Sequence, residues 1–103
     1  MKTIQKHFIN VAEKSQVLNL KKGYRVVRSE YNPNNSTVNI WVEIPLMADI
    51  PNLKREFIVK RTNEVVPNDY TYVSTTVDKA RGQSYHIFEA PALEAEKYAE
   101  WAA

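Results

Sequence analysis

The chain has 103 residues, of which 44% are apolar or aromatic and 25% are charged. This length and composition suit one domain with one core over residues 1–103, and they exclude an intrinsically disordered chain. The formal net charge of +2 is small for a dedicated nucleic-acid-binding protein. Because the chain contains no cysteine, disulfides, thiolate metal sites and thiol catalysis are excluded.

We expect no secretory signal peptide at the beginning of the chain. Residues 1–7 lack the apolar core of a signal peptide, and no later apolar run is long enough to span a bilayer. We therefore expect a cytoplasmic protein with no membrane partner.

Seven segments rich in β-branched or aromatic residues predict strands. They cover residues 4–9, 16–20, 24–31, 38–44, 56–61, 70–78 and 84–89. Alternation is clearest in the fourth, where Val38, Ile40, Val42 and Ile44 share one face. In the sixth, alternation places Thr71, Val73, Thr75 and Val77 opposite Tyr70, Tyr72, Ser74 and Thr76.

Turn-forming residues separate these segments. Asn32–Ser36 predicts a hairpin turn, and Lys22-Gly23 and Arg81–Gln83 predict smaller turns. Pro45 and Pro51 bracket a loop, and we expect both prolines to lie outside strands because proline cannot donate a ladder hydrogen bond.

The C-terminal segment changes in composition. Residues 91–102 are rich in Ala, Leu, Glu and Lys, and Pro91 suits a first helical position. The predicted fold is therefore mainly β with one helix (α+β): an antiparallel sheet of six to seven strands, sandwich-like or a partly open barrel. The helix over 91–102 is expected to pack on the β-rich body formed by residues 1–89.

The order of the strand motifs resembles a known family. The motifs are Leu18–Gly23, Val26–Ser29, Val38–Glu43, Phe57–Val59, Tyr72–Val77 and Tyr85–Glu89. Together they are similar to small β-rich proteins of bacteriophages and bacteria, classed as a domain of unknown function, with a mid-chain strand tryptophan and a closing aromatic-His-aliphatic-Phe-Glu strand. Members commonly carry Thr-Gly-His where this chain reads Arg61-Thr62-Asn63-Glu64. The resemblance implies a phage or prophage accessory protein, located in the host cytoplasm if phage-encoded, and implies no known reaction.

Enzyme chemistry finds little support in the residues. His7 and His86 are the only histidines and show no metal-ligand spacing. A nucleophilic site would need Ser74, Ser84 or Thr75 beside His86, but the sequence has no nucleophile elbow to present any of them. The chain has only two glycines, too few for a phosphate-binding loop. We expect no catalytic site, no metal and no cofactor.

Two binding hypotheses remain. Lys21, Lys22, Arg25 and Arg28 lie around one turn and would suit a nucleic-acid-binding module. The candidate anchors for a protein partner are Trp41, Tyr72 and Arg61. The alternative for Trp41 is that it packs under the predicted helix, against Leu93 and Trp101.

We favour a non-enzymatic protein that binds a host or phage protein, as a host-takeover or anti-defence inhibitor would. The alternatives are the nucleic-acid-binding module and a virion or assembly component. An exposed edge strand would also allow a homodimer.

Overall fold

A computed structural model describes residues 1–92, so the helix expected over 91–102 falls outside the described residues from position 93 onward. The described part contains seven strands, which confirms the seven predicted segments. Their bounds are β1 Lys2–Asn10, β2 Gln16–Lys21, β3 Arg25–Asn32, β4 Thr37–Pro45, β5 Asn52–Arg61, β6 Thr71–Asp78 and β7 Gln83–Glu89.

The strands form two antiparallel sheets. Sheet I has the order β1-β4-β3, and sheet II has the order β2-β5-β7-β6. No backbone ladder joins the two sheets within residues 1–92, and apolar side chains fill the space between them. The described residues are therefore a sandwich, one of the two arrangements predicted.

β4 supplies the centre of the core. Val38, Ile40 and Val42 are fully buried and Ile44 is nearly so, which confirms the predicted apolar face. Phe57 of β5 and Ile87 of β7 meet this face from sheet II. Because alternate side chains of a strand point to opposite faces, Asn39, Trp41 and Glu43 lie on the outer surface of sheet I.

β3 and β6 meet where one edge of each sheet lies beside the other. The hydroxyl oxygens of Ser29 and Ser74 are 2.6 Å apart, and the backbone N–H of Tyr31 donates to Thr76 Oγ1 at 2.9 Å. The rings of Tyr31 and Tyr85 stack with centroids 4.8 Å apart. Side chains thus close this seam where a backbone ladder is absent.

Two local predictions were wrong. A bulge between Tyr72 and Ser74 breaks the alternation of β6, so Tyr72 is exposed, whereas Ser74 and Thr76, its predicted neighbours on one face, turn toward the seam and the core. An extra residue in one strand shifts every later side chain to the other face. Pro45 is the last residue of β4, opposite Lys2, where a strand end tolerates the missing N–H.

Candidate functional site

The outer surface of sheet I carries a mixed aromatic and charged cluster, which we call the Trp41 face. It comprises Ile4, Lys6, Phe8, Arg28, Trp41 and Glu43. The antiparallel register places Lys6 of β1 and Arg28 of β3 on opposite sides of Trp41. Three strands therefore hold this cluster in a fixed order.

Trp41 lies between two cations. Lys6 Nζ is 5.9 Å from the centroid of the indole ring, and Arg28 Cζ is 5.4 Å from it. Both distances are within the range of a cation–π interaction. The indole is therefore held in place by its neighbours and remains partly exposed, as a rigid binding anchor requires.

Glu43 lies two residues after Trp41 in β4, on the same face of the sheet, and pairs with two cations. Lys2 Nζ donates to Glu43 Oε1 at 3.0 Å, and Arg25 Nη2 lies 3.6 Å from Oε2. The hydrogen bond from Lys2, with the positive charges of Lys2 and Arg25, lowers the pKa of Glu43 below its usual value. The carboxylate therefore stays charged at neutral pH and offsets part of the positive charge on the face.

Apolar side chains of β1 extend the face toward the edge of sheet I. Phe8 is 65% exposed and Ile4 is 49% exposed. Exposed apolar groups beside a partly exposed tryptophan are typical of surfaces that bind other molecules. Sequence reasoning missed Ile4, Lys6 and Phe8, although their two-residue spacing in a predicted strand placed them on one face.

The other protein-binding candidates lie elsewhere. Tyr72 is 57% exposed on the outer surface of sheet II, where its ring packs edge-to-face on Phe88 at 5.7 Å between centroids. Arg61 is exposed at the end of β5, where its backbone N–H donates to Glu64 Oε1 at 2.6 Å. The structure does not bring Trp41, Tyr72 and Arg61 onto one surface.

The predicted basic cluster is divided between two sites. Arg25 and Arg28 lie on the outer surface of sheet I, paired with Glu43 and Glu30 respectively. Lys21 ends β2 in sheet II and donates to the carbonyl of Met47 at 3.0 Å, and Lys22 lies in the turn that follows. Carboxylates thus interrupt the positive charge that a phosphate backbone would need.

His86 is the centre of a row of hydroxyl groups on sheet II. Thr75 Oγ1 is 2.9 Å from Nδ1, Thr62 Oγ1 is 3.0 Å from Nε2, and Tyr72 OH is 2.7 Å from Thr75 Oγ1. The structure therefore does bring Thr75 beside His86, whereas the side chain of Ser74 faces the seam. Within residues 1–92 no carboxylate orients His86, and the row lies on an open sheet surface, so it lacks the third group and the enclosed cleft of a nucleophilic site.

The two histidines belong to different sheets. His7 lies on β1, where its Nε2 is 3.2 Å from Gln5 Oε1. No cluster of three or more metal-ligating side chains occurs in the described part of the chain. Residues 1–92 also contain no helix of the length and apolar character that a membrane crossing needs.

Comparison with known proteins identifies a family without assigning an activity. No curated protein and no solved structure matches this chain. The model of one family, described as Domain of unknown function (DUF7352), matches residues 1–97. The match covers all seven strands and the whole Trp41 face, and the chain therefore belongs to this family.

Proposed function

We propose that this chain is a non-enzymatic binding protein that occupies the surface of a partner protein through its Trp41 face. The observation that carries the proposal is the position of Trp41, held between Lys6 and Arg28 with Phe8 exposed nearby. Aromatic and arginine side chains dominate the energy of protein interfaces. A rigid, partly exposed tryptophan ringed by charged groups fits this pattern.

The charges on the outer surface of sheet I favour a protein over a nucleic acid. Four cations (Lys2, Lys6, Arg25 and Arg28) share the outer surface with Glu30 and Glu43, which pair with three of them. Alternating charges offer complementary pairs to a protein surface, whereas a nucleic-acid site gains affinity from uncompensated positive charge. The proposed partner is therefore a protein.

The resemblance to phage and bacterial proteins suggests the biological form of this binding. A phage or prophage protein of this size can act in the cytoplasm as a host-takeover or anti-defence inhibitor. It does so by covering the surface through which a host or phage protein binds or acts. Such inhibition needs complementarity and anchors, and it needs no active site.

The test is an affinity pull-down of the tagged protein from bacterial lysate, with and without nuclease. We expect one bacterial protein to be recovered in an amount nearly equal to that of the tagged protein, also after nuclease treatment. Tyr72→Ala, a change on sheet II, is the control and should still capture this partner. Trp41→Ala should weaken capture about 30-fold, the effect of losing a central anchor. Recovery of nucleic acid, with proteins lost on nuclease treatment and binding abolished by Arg25→Glu, would contradict the proposal.

A further inference from the structure

β1 is a long, regular sheet edge. Its nine residues pair with β4 from Lys2 to Asn10 without a shift in register. Within residues 1–92 no strand pairs with its other side. The segment contains no proline and no bulge, so its outward N–H and C=O groups can accept another strand.

The other edge strands are less suited to this role. β3 and β6 each contain a bulge, and they lie against each other at the seam through Ser29 and Ser74. β2 has six residues and therefore offers fewer backbone groups. Among the described edges, β1 has the greatest capacity for strand addition.

The side chains of β1 define what would pair with it. Lys2, Ile4, Lys6 and Phe8 lie on the Trp41 side, so cationic and apolar groups alternate along this edge. Residues directly opposite each other on paired strands have Cβ atoms about 5 Å apart and interact. The complementary strand therefore carries acidic and apolar residues in alternation at every second position.

Lys6 distinguishes such a partner from a second copy of the chain. The antiparallel self-pairing that uses all of β1 is centred on Lys6 and would place the two Lys6 side chains opposite each other, which is unfavourable. Lys2 already pairs with Glu43, but no carboxylate in the described part of the chain pairs with Lys6. The charge of Lys6 therefore favours an acidic residue opposite it on an added strand.

The geometry points to an extended segment of the partner protein, with acidic and apolar residues at alternate positions, that adds to β1 as an antiparallel fourth strand of sheet I. This inference rests on the proposed function, because the same partner would continue from β1 across the Trp41 face. Backbone hydrogen bonds would hold the segment, and its alternate side chains would select it.

A synthetic peptide of sequence TTVTETVTE tests this mode of binding. In full antiparallel register its two valines lie opposite Phe8 and Ile4, and its two glutamates lie opposite Lys6 and Lys2. In NMR titrations at millimolar peptide we expect the amide resonances of β1 to move, while those of β2, the other outer edge strand, do not.

A charge-exchange cycle makes the test specific. Lys6→Glu should weaken binding, and a second peptide, TTVTKTVTE, should bind Lys6→Glu better than the original protein. Each mismatched combination should bind about tenfold more weakly than the matched ones, the combined effect of losing an attraction and gaining a repulsion. Equal affinities in all four combinations would overturn the inference.

The two proposals fail in different ways. Unmoved β1 resonances, or dimerisation of the free protein through β1, would overturn strand addition. A captured partner that is lost on Trp41→Ala but retained by Lys6→Glu would also overturn strand addition while leaving the proposed function intact. A partner retained by Trp41→Ala would contradict the proposed function without affecting the peptide result.

Discussion

The backbone N–H of Tyr31 donates to the hydroxyl of Thr76 at 2.9 Å, and this bond crosses from sheet I to sheet II. Tyr31 lies in β3 and Thr76 in β6, two edge strands that share no backbone ladder. A side chain thus provides the acceptor that a neighbouring strand would normally supply. The position of sheet II against sheet I depends on such contacts.

Thr76→Val should destabilise the protein by about 1–2 kcal/mol. Valine fills nearly the same volume but leaves the partly buried N–H of Tyr31 without its partner, the hydroxyl of the buried Thr76. Chemical unfolding of this variant should be compared with Thr71→Val, an exposed change in the same strand. Equal stability of the two variants would show that the bond across the seam contributes little.

The ion pairs of Glu43 predict a loss of stability in acid. Because the folded state lowers the pKa of Glu43, its contribution is present above the usual value of 4.5 and is lost as pH falls through the lowered pKa. Lys2→Met should raise the pKa of Glu43 toward its usual value, as measured by carboxylate NMR. Lys6→Met, on the same face but bonded to no carboxylate within residues 1–92, is the matched control and should leave it little changed.

Tyr85 predicts a loss of stability in alkali. Burial is the main cause that raises its pKa above 10.0, and the neighbouring Tyr31 adds to the effect. Above pH 10 the unfolded chain releases this proton while the folded chain retains it, so the free energy of unfolding falls as pH rises. Tyr85→Phe keeps the ring beside Tyr31 and should reduce this fall in urea titrations. An equal fall in Tyr85→Phe and in the original protein would contradict this.

The two glycines should differ in their tolerance of a side chain. Gly23 has φ +91° and Gly82 has φ +63°, and a Cβ added at Gly82 would meet no atom within 4 Å. The angle at Gly82 falls in the left-handed region that alanine enters at a cost of about 1 kcal/mol, whereas that at Gly23 lies beyond it. Gly23→Ala should therefore lower the free energy of unfolding more than Gly82→Ala. The reverse order in chemical unfolding would contradict this.

The strands and the core were predictable because they depend on local pattern. Alternation in β4 fixed the buried positions of Val38 to Ile44, since a strand with one apolar face must turn that face inward. The bulge at Val73 was not predictable, because no local residue type demanded it. The extra residue turns Thr76 and Asp78 inward, where the hydroxyl of Thr76 accepts the hydrogen bond from Tyr31 across the seam.

The candidate site was predictable only in part. Trp41 was identified from its place on the polar side of a strand, but its neighbours come from strands distant in sequence. Lys6 and Arg28 meet the indole because β1 and β3 both pair with β4. A single sequence does not specify strand order, so Arg25 and Arg28 appeared to belong with Lys21 and Lys22 instead of with Trp41.

The strand order of sheet I also sets the course of folding. β3 and β4 are joined by a short turn, as are β6 and β7, so these hairpins can form early. β1 must instead close a long loop to reach β4, which costs more entropy before any contact is gained. Until β1 adds, one edge of β4 has no paired strand, and an unpaired strand edge is a template for pairing with other chains.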